Sequence, residues 1–373
     1  MHTPPARPPL SRRTLLKLVA GAGIAATGGY ALFEYAPWLN YDQQATAIRS
    51  PAEEPPMVSA QMRELVRAAT LAASGHNTQP WTFAITADGI DIHPDLARRL
   101  PAVDRSDREL WISLGCALEN LIVAARAAGY VPDITYPDAA DFIHIQLTPG
   151  TSPASPLFDA IRVRQNTRSA YDGQPLPTAD LNTVQAMPLE PGVVLQLITS
   201  PTEVETVLEY VNQGNLRQFA DAAFMAELMA WIRFTKKEAL ASRDGLYAGA
   251  SGNPEVPRWL GQLVVAGTQP QQQADADAKK LRSSAGAVVV ASESDTKTAW
   301  VRTGQVYERL ALTLTSLKIR SAFLNQPIEV TAVRGQFQSA IGLGAALPQL
   351  LMRVGYAAPM PRSLRRPVEQ VIM

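Results

Sequence analysis

The sequence predicts an α+β fold built from two related halves. The chain has 373 residues, more than the ~100–200 residues of one ordinary core, and helical and strand-like patterns alternate along it. Two long helical patterns, over residues 106–130 and 297–319, repeat the same residue types at the same spacing. This repetition predicts a duplicated unit whose two copies pack together as an intramolecular pseudo-dimer.

The repeated motif is a tryptophan, a glycine four positions later, a glutamate four positions after that and a leucine two further on. Its members are Trp111, Gly115, Glu119 and Leu121 in the first helix, and Trp300, Gly304, Glu308 and Leu310 in the second. Positions four apart lie near one face of a helix. Glycine within a helix costs about 1 kcal/mol relative to alanine, and close approach of another helix usually compensates. We therefore expect the two helices to pack through this stripe.

The composition is that of an ordinary globular protein, with 46% hydrophobic and 18% charged residues, which excludes wholesale disorder. The formal net charge is zero, so no nucleic-acid partner is expected. The single cysteine, Cys116, lies in an apolar helical pattern and is expected to be a buried, inert thiol. The four histidines are scattered, so no metal site is expected.

Residues 1–36 resemble a twin-arginine export signal. "SRRTLLK", with Arg12 and Arg13, precedes the apolar "LVAGAGIAATGGYALF". No clear cleavage site follows, so the segment is either removed or kept as an anchor, although it is short for a span of ~20 residues. The twin-arginine translocase is thus an expected partner, and the protein is expected to be exported across the cytoplasmic membrane, either into the periplasm or anchored at the periplasmic face.

Residues 37–57 are polar and proline-rich and predict a linker. The first half is predicted over residues 58–150. It contains a helix at 59–73, a hairpin at 81–95 that turns at Asp88–Gly89, the long helix at 106–130 and a strand at 141–147. Ser106 and Glu109 are expected to form a capping box at the start of the long helix, and Gly129 to end it.

The second half is predicted over residues 151–373. Its expected elements are helices at 155–165 and 178–187, strands at 193–200 and 286–294, the second long helix, and the segment 320–330. An insertion at about 203–282 is rich in aromatic and methionine residues. It is either a lid, for which the glycine-rich "DGLYAGASGNP" would fold over a site, or an ordinary pair of core helices.

The loop "SGHNTQPW", residues 74–81, joins a helix to a strand and is crowded with amides. A plain turn needs glycine, proline or asparagine for backbone reasons, but it needs neither an amide pair nor a tryptophan. Polar groups on such a loop are typical of a ligand site. For Gln79 and Trp81 a structural alternative stands beside this, namely a buried amide that satisfies the loop backbone and a core indole.

A basic segment, "RVRQNTR", carries Arg162, Arg164 and Arg168 around Asn166. Guanidinium groups match phosphate geometry and stay charged, so this segment is either an anion site or a solvated basic edge. A second basic cluster near the C-terminus, "RSLRRP", is placed to converge on the same phosphate.

These segments together resemble the FMN-dependent nitroreductases. "SGHNTQPW" is similar to their Ser-x-x-Asn-x-Gln-Pro-Trp loop, "RVRQNTR" to their Arg-x-Ser-x-Arg segment, and "GYAAPMPRSLRRPVEQVI" to their C-terminal tail. Their arginine segment comes before the loop, whereas here it opens the second half. Duplication explains this order, because one fused chain supplies both sides of a site that a homodimer builds from two subunits. The joint order, with "NTRSAYDG" and "AFLNQP", resembles the Acg-type nitroreductase-like flavoproteins over nearly all of the chain after the linker.

The resemblance implies a nitroreductase-like fold and one FMN per chain. It places Ser74, Gly75 and Asn77 at the ring or ribityl chain, with Gln79 in the same loop. Residues from the second half complete the implied FMN site: Arg164, Asn166 and Arg168 at the phosphate and ribityl chain, Asn325 and Gln326 along the N5 edge, and Arg365 or Arg366 at the phosphate. Asn166 and Gly75 depart from the family pattern, which has small hydroxyl residues at both places.

The implied activity is an oxidoreductase in which flavin N5 passes two electrons from NAD(P)H or another donor to a small acceptor, a nitroaromatic or quinone. No catalytic side chain of the protein is needed for this chemistry. NAD(P)H is scarce outside the cytoplasmic membrane, and a closed lid would exclude both nicotinamide and substrate. The alternative is therefore a non-catalytic protein that sequesters or stores FMN; an anchored interaction module without flavin is a third.

Overall fold

The computed structural model describes residues 40–50, 58–137, 140–151 and 155–373, and the predicted export signal lies outside these ranges. Among the described helices, Arg108–Ala127 is long and apolar enough to cross a membrane by length and composition alone. Its side chains are almost all buried inside the protein, as in the core helix of a globular domain.

The described residues form α-helices and β-strands in one continuous series. The helices are α1 Tyr41–Ala47, α2 Val58–Thr70, α3 Arg108–Ala127, α4 Pro156–Val163, α5 Thr178–Gln185, α6 Pro201–Gln218, α7 Ala222–Trp231, α8 Lys236–Ser242, α9 Arg258–Ala266, α10 Pro270–Arg282, α11 Lys297–Ser316, α12 Gln326–Glu329 and α13 Thr331–Ala340. The strands are β1 Trp81–Ile85, β2 Gly89–Pro94, β3 Tyr130–Thr135, β4 Ile143–Pro149, β5 Val193–Ile198, β6 Ile232–Arg233, β7 Leu246–Tyr247, β8 Gly286–Ser292, β9 Arg320–Phe323 and β10 Leu347–Gly355.

The first sheet is antiparallel, with strand order β1-β2-β4-β3. The predicted hairpin is confirmed, with Thr82 opposite His93 across it. Strand β3 was not predicted, because Pro132 and Asp133 interrupt its pattern. Proline is tolerated on an edge strand, where no neighbour needs its missing N–H, and β3 lies at the sheet edge.

The second sheet has the order β5-β8-β10-β9 and repeats the first. In each half the second and third strands are joined by the long helix, α3 or α11, and the four strands pair in the same antiparallel sequence. The insertion occupies the β5–β8 connection, where the first half has only the short hairpin turn. The α+β prediction with two related halves is confirmed by this repeated topology.

The predicted linker is wrong in part, because Tyr41–Ala47 is helical. Tyr41 and Ala45 are buried against Leu240, Tyr247 and Leu364, from the insertion and the C-terminal tail. The ring centroids of Tyr41 and Tyr247 are 4.8 Å apart. The sequence did not predict this contact, because the helix is mostly polar and only Tyr41 and Ala45 face the rest of the protein.

The predicted capping box is also wrong. Asp107 precedes α3 with a left-handed backbone and no side-chain cap, and the N–H of Leu110 donates instead to Asp104 Oδ2 at 2.9 Å. Glu109 is therefore free of a capping role and is buried at 8% exposure, a placement that matters for the site.

Candidate functional site

Two adjoining cavities lie where the halves meet, a larger chamber of about 160 Å³ and a smaller chamber of about 40 Å³. They share the lining residues Ala73, Ser74, Asn166, Arg168 and Leu246. The first half supplies the loop at residues 73–77, the second half supplies residues 164–168, and Leu246 comes from the insertion. Because they share these residues, the two chambers together form one candidate site.

The loop at residues 74–79 has a strained backbone. His76, Asn77 and Gln79 have φ angles of 46°, 54° and 54°, in the left-handed region that non-glycine residues rarely adopt. Ser113 Oγ accepts a hydrogen bond from the Gly75 N–H at 3.3 Å, and Ser74 Oγ accepts from the Gln79 N–H at 3.1 Å. The long helix α3 thus holds the loop against the larger chamber.

The amide pair fastens the insertion and the C-terminal tail to this loop. Asn77 Nδ2 donates to the carbonyl oxygens of Gly245 and Leu364 at 3.1 and 3.3 Å. Gln79 Nε2 donates to the Arg243 carbonyl at 2.9 Å, and Gln79 Oε1 accepts from the Arg366 N–H at 2.8 Å. The crowding of amides in "SGHNTQPW" is explained by three chain segments that meet at one loop.

Three of the predicted site residues lie outside both chambers, and we assign them structural roles instead. Gln79 is fully buried in the bonds just described. Gln326 Nε2 donates to Asp277 Oδ2 at 3.1 Å, and Arg366 Nη1 donates to the Gln79 carbonyl and faces Asp95. Trp81 has 0% exposure, so the core alternative holds for it. The sequence could not separate these residues from ligand contacts, because both roles need buried polar groups on a loop.

The smaller chamber is lined by arginines: Arg49, Arg164, Arg168 and Arg365. Arg164 Nε lies 2.8 Å from Glu308 Oε1, and Arg164 Nη2 donates to the Leu71 carbonyl at 2.9 Å. Arg365 Nη2 donates to the Ala72 carbonyl at 3.1 Å. Carbonyls that follow a helix, here α2, carry the negative end of its dipole and favour such cations.

Positive charge still exceeds negative charge in this chamber. Across the described ranges, Glu308 is the only carboxylate ion-paired with these arginines, and Arg168 makes neither an ion pair nor a hydrogen bond. Burial lowers the pKa of Arg49 to about 9, helped by Arg362 and Arg164. Burial, with Arg49 and Arg164, also lowers the pKa of Arg365 well below its usual range. A bound anion would relieve this repulsion.

The larger chamber has a more apolar lining than the smaller chamber. Ile112, Phe323 and Leu350 line it together with Tyr307, whose hydroxyl donates to Asn166 Oδ1 at 3.3 Å. Asn325 is also at its wall, where its Oδ1 accepts from the Leu351 N–H at 2.9 Å. The predicted residues Ser74, Gly75, Asn166, Arg168 and Asn325 therefore line one chamber together.

Several lining residues were not predicted. Arg49 belongs to the misread linker, and no local pattern marks it. His76 lies inside the quoted loop; burial, followed by the charge of Arg168, lowers its pKa to about 4, so its ring is neutral at pH 7. Cys116 was expected to be an inert thiol, and burial raises its pKa well above the usual value, which keeps the thiol protonated.

Comparisons with known proteins agree with the motif-based resemblance. No family model matches the chain. A Mycobacterium tuberculosis protein provisionally named NAD(P)H nitroreductase is 27% identical over 328 residues, which cover 83% of this chain and 90% of the relative. The NAD(P)H nitroreductase acg of the same organism, likewise named provisionally, is 26% identical over 83% of this chain and 94% of its own length. The predicted similarity to Acg-type proteins is confirmed by these relatives.

Solved structures also match part of the chain. The FMN-dependent nitroreductase NfnB of Mycobacterium smegmatis, in complex with NADPH, covers 58% of this chain and 96% of its own, with 13% identity and a TM-score of 0.38. A nitroreductase with bound FMN from Bacteroides fragilis covers 54% of this chain and 88% of its own, with 18% identity and a TM-score of 0.32.

Proposed function

We propose that this chain binds one FMN in the two-chambered site and is a nitroreductase-like oxidoreductase. The observation that carries the proposal is the arginine-lined smaller chamber, which adjoins a larger chamber with a more apolar lining where the two halves meet. Such a pair of chambers suits a ligand that carries a phosphate group beside a planar ring, because arginines bind phosphate and an apolar lining contacts a ring. The sequence relatives named as NAD(P)H nitroreductases support the same assignment.

The residues present fit an FMN molecule. Within the described part of the chain, Arg168 makes no ion pair or hydrogen bond, and Arg365 Nε is buried with no hydrogen-bond partner. Together with Arg49 they would hold the phosphate. Asn77 Oδ1 and His76 Nδ1 are likewise buried without partners. Such orphaned groups cost about 1–3 kcal/mol each unless a ligand satisfies them.

When bound, the flavin would supply the two-electron chemistry, with NAD(P)H or another reductant as the donor and a nitroaromatic or quinone as the acceptor. The chain would bind, orient and shield it. The hydrogen bond between Gly75 and Ser113 fixes the loop beside the larger chamber. Tyr307 holds Asn166 at the chamber wall, and Leu246 of the insertion lines both chambers.

The second candidate function is FMN storage without turnover. It is favoured by the insertion, whose segment at residues 243–247 is bonded to Asn77 and Gln79 across the site. A lid fixed in this way would exclude a nicotinamide or a large acceptor. The insertion is thus proposed to act as a lid in either case, and the two functions differ in whether it opens.

An anaerobic titration with NADPH, followed by flavin absorbance, distinguishes the two functions. Bleaching by NADPH and re-oxidation by a quinone would support the oxidoreductase; bleaching by dithionite alone would support storage. Protein that binds no FMN after reconstitution would overturn both. Arg168→Ala should lose FMN while remaining folded, and Arg217→Ala, which removes an exposed arginine of α6, is the matched control.

We also propose export by the twin-arginine translocase, supported by the order of Arg12, Arg13 and the apolar segment after them. Replacing both arginines by lysine should leave the protein in the cytoplasmic fraction, whereas Arg7→Lys should not. An unchanged distribution would refute this proposal.

A further inference from the structure

We propose that Glu109 and Glu329 share one proton and deliver it to an acceptor bound in the larger chamber. This inference rests on the proposed function of that chamber as a redox site. Glu109 stands in the first turn of α3 and Glu329 ends α12, so each half contributes one carboxyl group. Both side chains line the larger chamber.

The two carboxyl groups are neighbours in the wall of the larger chamber, and each affects the pKa of the other. A carboxylate has no donor, so a hydrogen bond between the two groups forms only when one of them is protonated. Gln218 Nε2 donates to Glu329 Oε2 at 2.5 Å, which suits Glu329 as the ionised acceptor. Glu109 Oε2 lies 3.5 Å from the position that a Cβ would take on Gly75, which places the Glu109 carboxyl beside the loop that borders the larger chamber.

The charges around the pair favour a retained proton. Arg108 is its cation; Nη2 donates to Glu109 Oε1 at 2.8 Å. Other charged or titratable groups also face the pair. In the larger chamber they are His76, Cys116, Arg168 and Tyr307. On the other side, in an outer cavity, they are Asp104, Arg105, Arg217, Asp221 and Arg334. With three acids near one buried guanidinium, burial and the neighbouring carboxylate raise the pKa of Glu109 well above its usual range.

A route for replacing the proton is present. An outer cavity of about 510 Å³ lies beside the site, between the loop at residues 102–108, the end of α6 and the start of α13. Glu329 lines both the outer cavity and the larger chamber. Water in the outer cavity could therefore return a proton to Glu329 while the insertion stays closed over the site.

The chemistry balances for a quinone acceptor and a reduced flavin as hydride donor. One quinone oxygen takes a hydride, that is, two electrons and one hydrogen, and the opposite oxygen, which then carries the negative charge, needs one proton. The O–H bond of Glu109 breaks as the new O–H bond forms, leaving a second carboxylate in the pair. Solvent then protonates the pair through Glu329. Proton transfer from a positioned acid contributes typically 10²–10⁴-fold to such a step.

Infrared spectroscopy of the purified protein tests the shared proton without any turnover. At pH 7 the wild type should show a protonated carboxyl C=O band that shifts in D₂O. Glu109→Gln should lose this band, because its amide replaces the protonated acid and still donates to Glu329. Glu227→Gln, which alters a carboxylate bonded to the Ala102 and Val103 N–H groups, should keep it. A band unchanged in Glu109→Gln overturns the shared proton.

Quinone reduction by FMN-loaded protein tests delivery of the proton. In protein saturated with FMN, Glu109→Gln should slow the step at least ten-fold and remove its solvent isotope effect. An unaltered rate and isotope effect would overturn the delivery role. If the wild type reduces no acceptor at all, the oxidoreductase proposal fails, and the infrared result still decides whether the pair holds a proton.

Discussion

Gly115 and Gly304 touch across the crossing of α3 and α11. A Cβ on Gly115 would lie 2.0 Å from the Val301 carbonyl oxygen, and one on Gly304 would lie 2.0 Å from the Ile112 carbonyl oxygen. Ile112 precedes Gly115 by three residues and Val301 precedes Gly304 by three, so the two contacts are equivalent and each helix repeats the contact that the other makes. We interpret this reciprocity as the centre of a pseudo-dimer made by two fused halves.

Gly115→Ala should be strongly destabilising, because its methyl group would meet backbone rather than a flexible side chain. The helices would have to move apart to accommodate the methyl group, and both would lose packing contacts. We therefore expect the free energy of unfolding to fall by about 3 kcal/mol, or the variant not to fold. Gly335→Ala is the control, since nothing lies within 4 Å of that position and alanine is the better helix former by up to ~1 kcal/mol. Urea unfolding of both variants tests this, and equal stabilities would refute the close contact.

Glu308→Gln should destabilise the protein by about 3–5 kcal/mol, because Arg164 would keep a buried charge without its partner. Glu308 has 0% exposure and lies at the seam of the site. Its counterpart in the repeat, Glu119, pairs with Arg309 instead. The exposed pair Arg282–Glu205 provides the control, and Glu205→Gln should not change the unfolding midpoint measurably. Similar behaviour of both variants would contradict the structural role of Glu308.

The sequence was informative where a residue type has one physical use. The paired glycines needed a close helix partner, and period-2 patterns at residues 81–95 needed a hairpin; both are observed. It was uninformative where one residue type serves two uses. Gln79 and Gln326 satisfy backbone and side-chain partners, although a ligand contact has the same signature, and Arg49 acquires its place in the site only through the packing of Tyr41 and Ala45 against the insertion.

Gln79→Leu should loosen the insertion. The change leaves the Arg243 carbonyl and the Arg366 N–H without their partners, at a cost of about 1–3 kcal/mol each if they stay buried, so opening of the segment becomes easier. We expect faster proteolysis within residues 243–252 and faster release of bound FMN. Gln213→Leu, at a position whose side-chain bonds stay within α6, is the control. Proteolysis at the wild-type rate would argue that this contact does not hold the insertion closed.

Arg49→Gln should weaken FMN binding although the residue lies outside every motif of the sequence resemblance. Its Nη1 and Nη2 donate to the Ala45 and Ser363 carbonyls at 2.7 and 2.9 Å, which hold the cation at the smaller chamber. Loss of one charge-assisted phosphate contact corresponds to roughly 1.5–3 kcal/mol, or about a 10- to 150-fold rise in Kd. Calorimetric titration with FMN measures it. Arg63→Gln, which removes an exposed pair with Glu369, should bind FMN as the wild type does.

The imidazole of His76 should make the FMN-free protein less stable in mild acid. Burial, followed by the charge of Arg168, lowers the pKa of His76 from 6.5 to about 4, so between these values the unfolded chain binds more protons than the folded one. Stability must then rise with pH across this window and fall as the pH drops from 6.5 towards 4. His76→Asn, which tolerates the left-handed backbone, should show a flatter stability profile than the wild type over this range. If His76→Asn keeps the wild-type slope, burial and Arg168 do not lower the pKa of His76 in the folded protein.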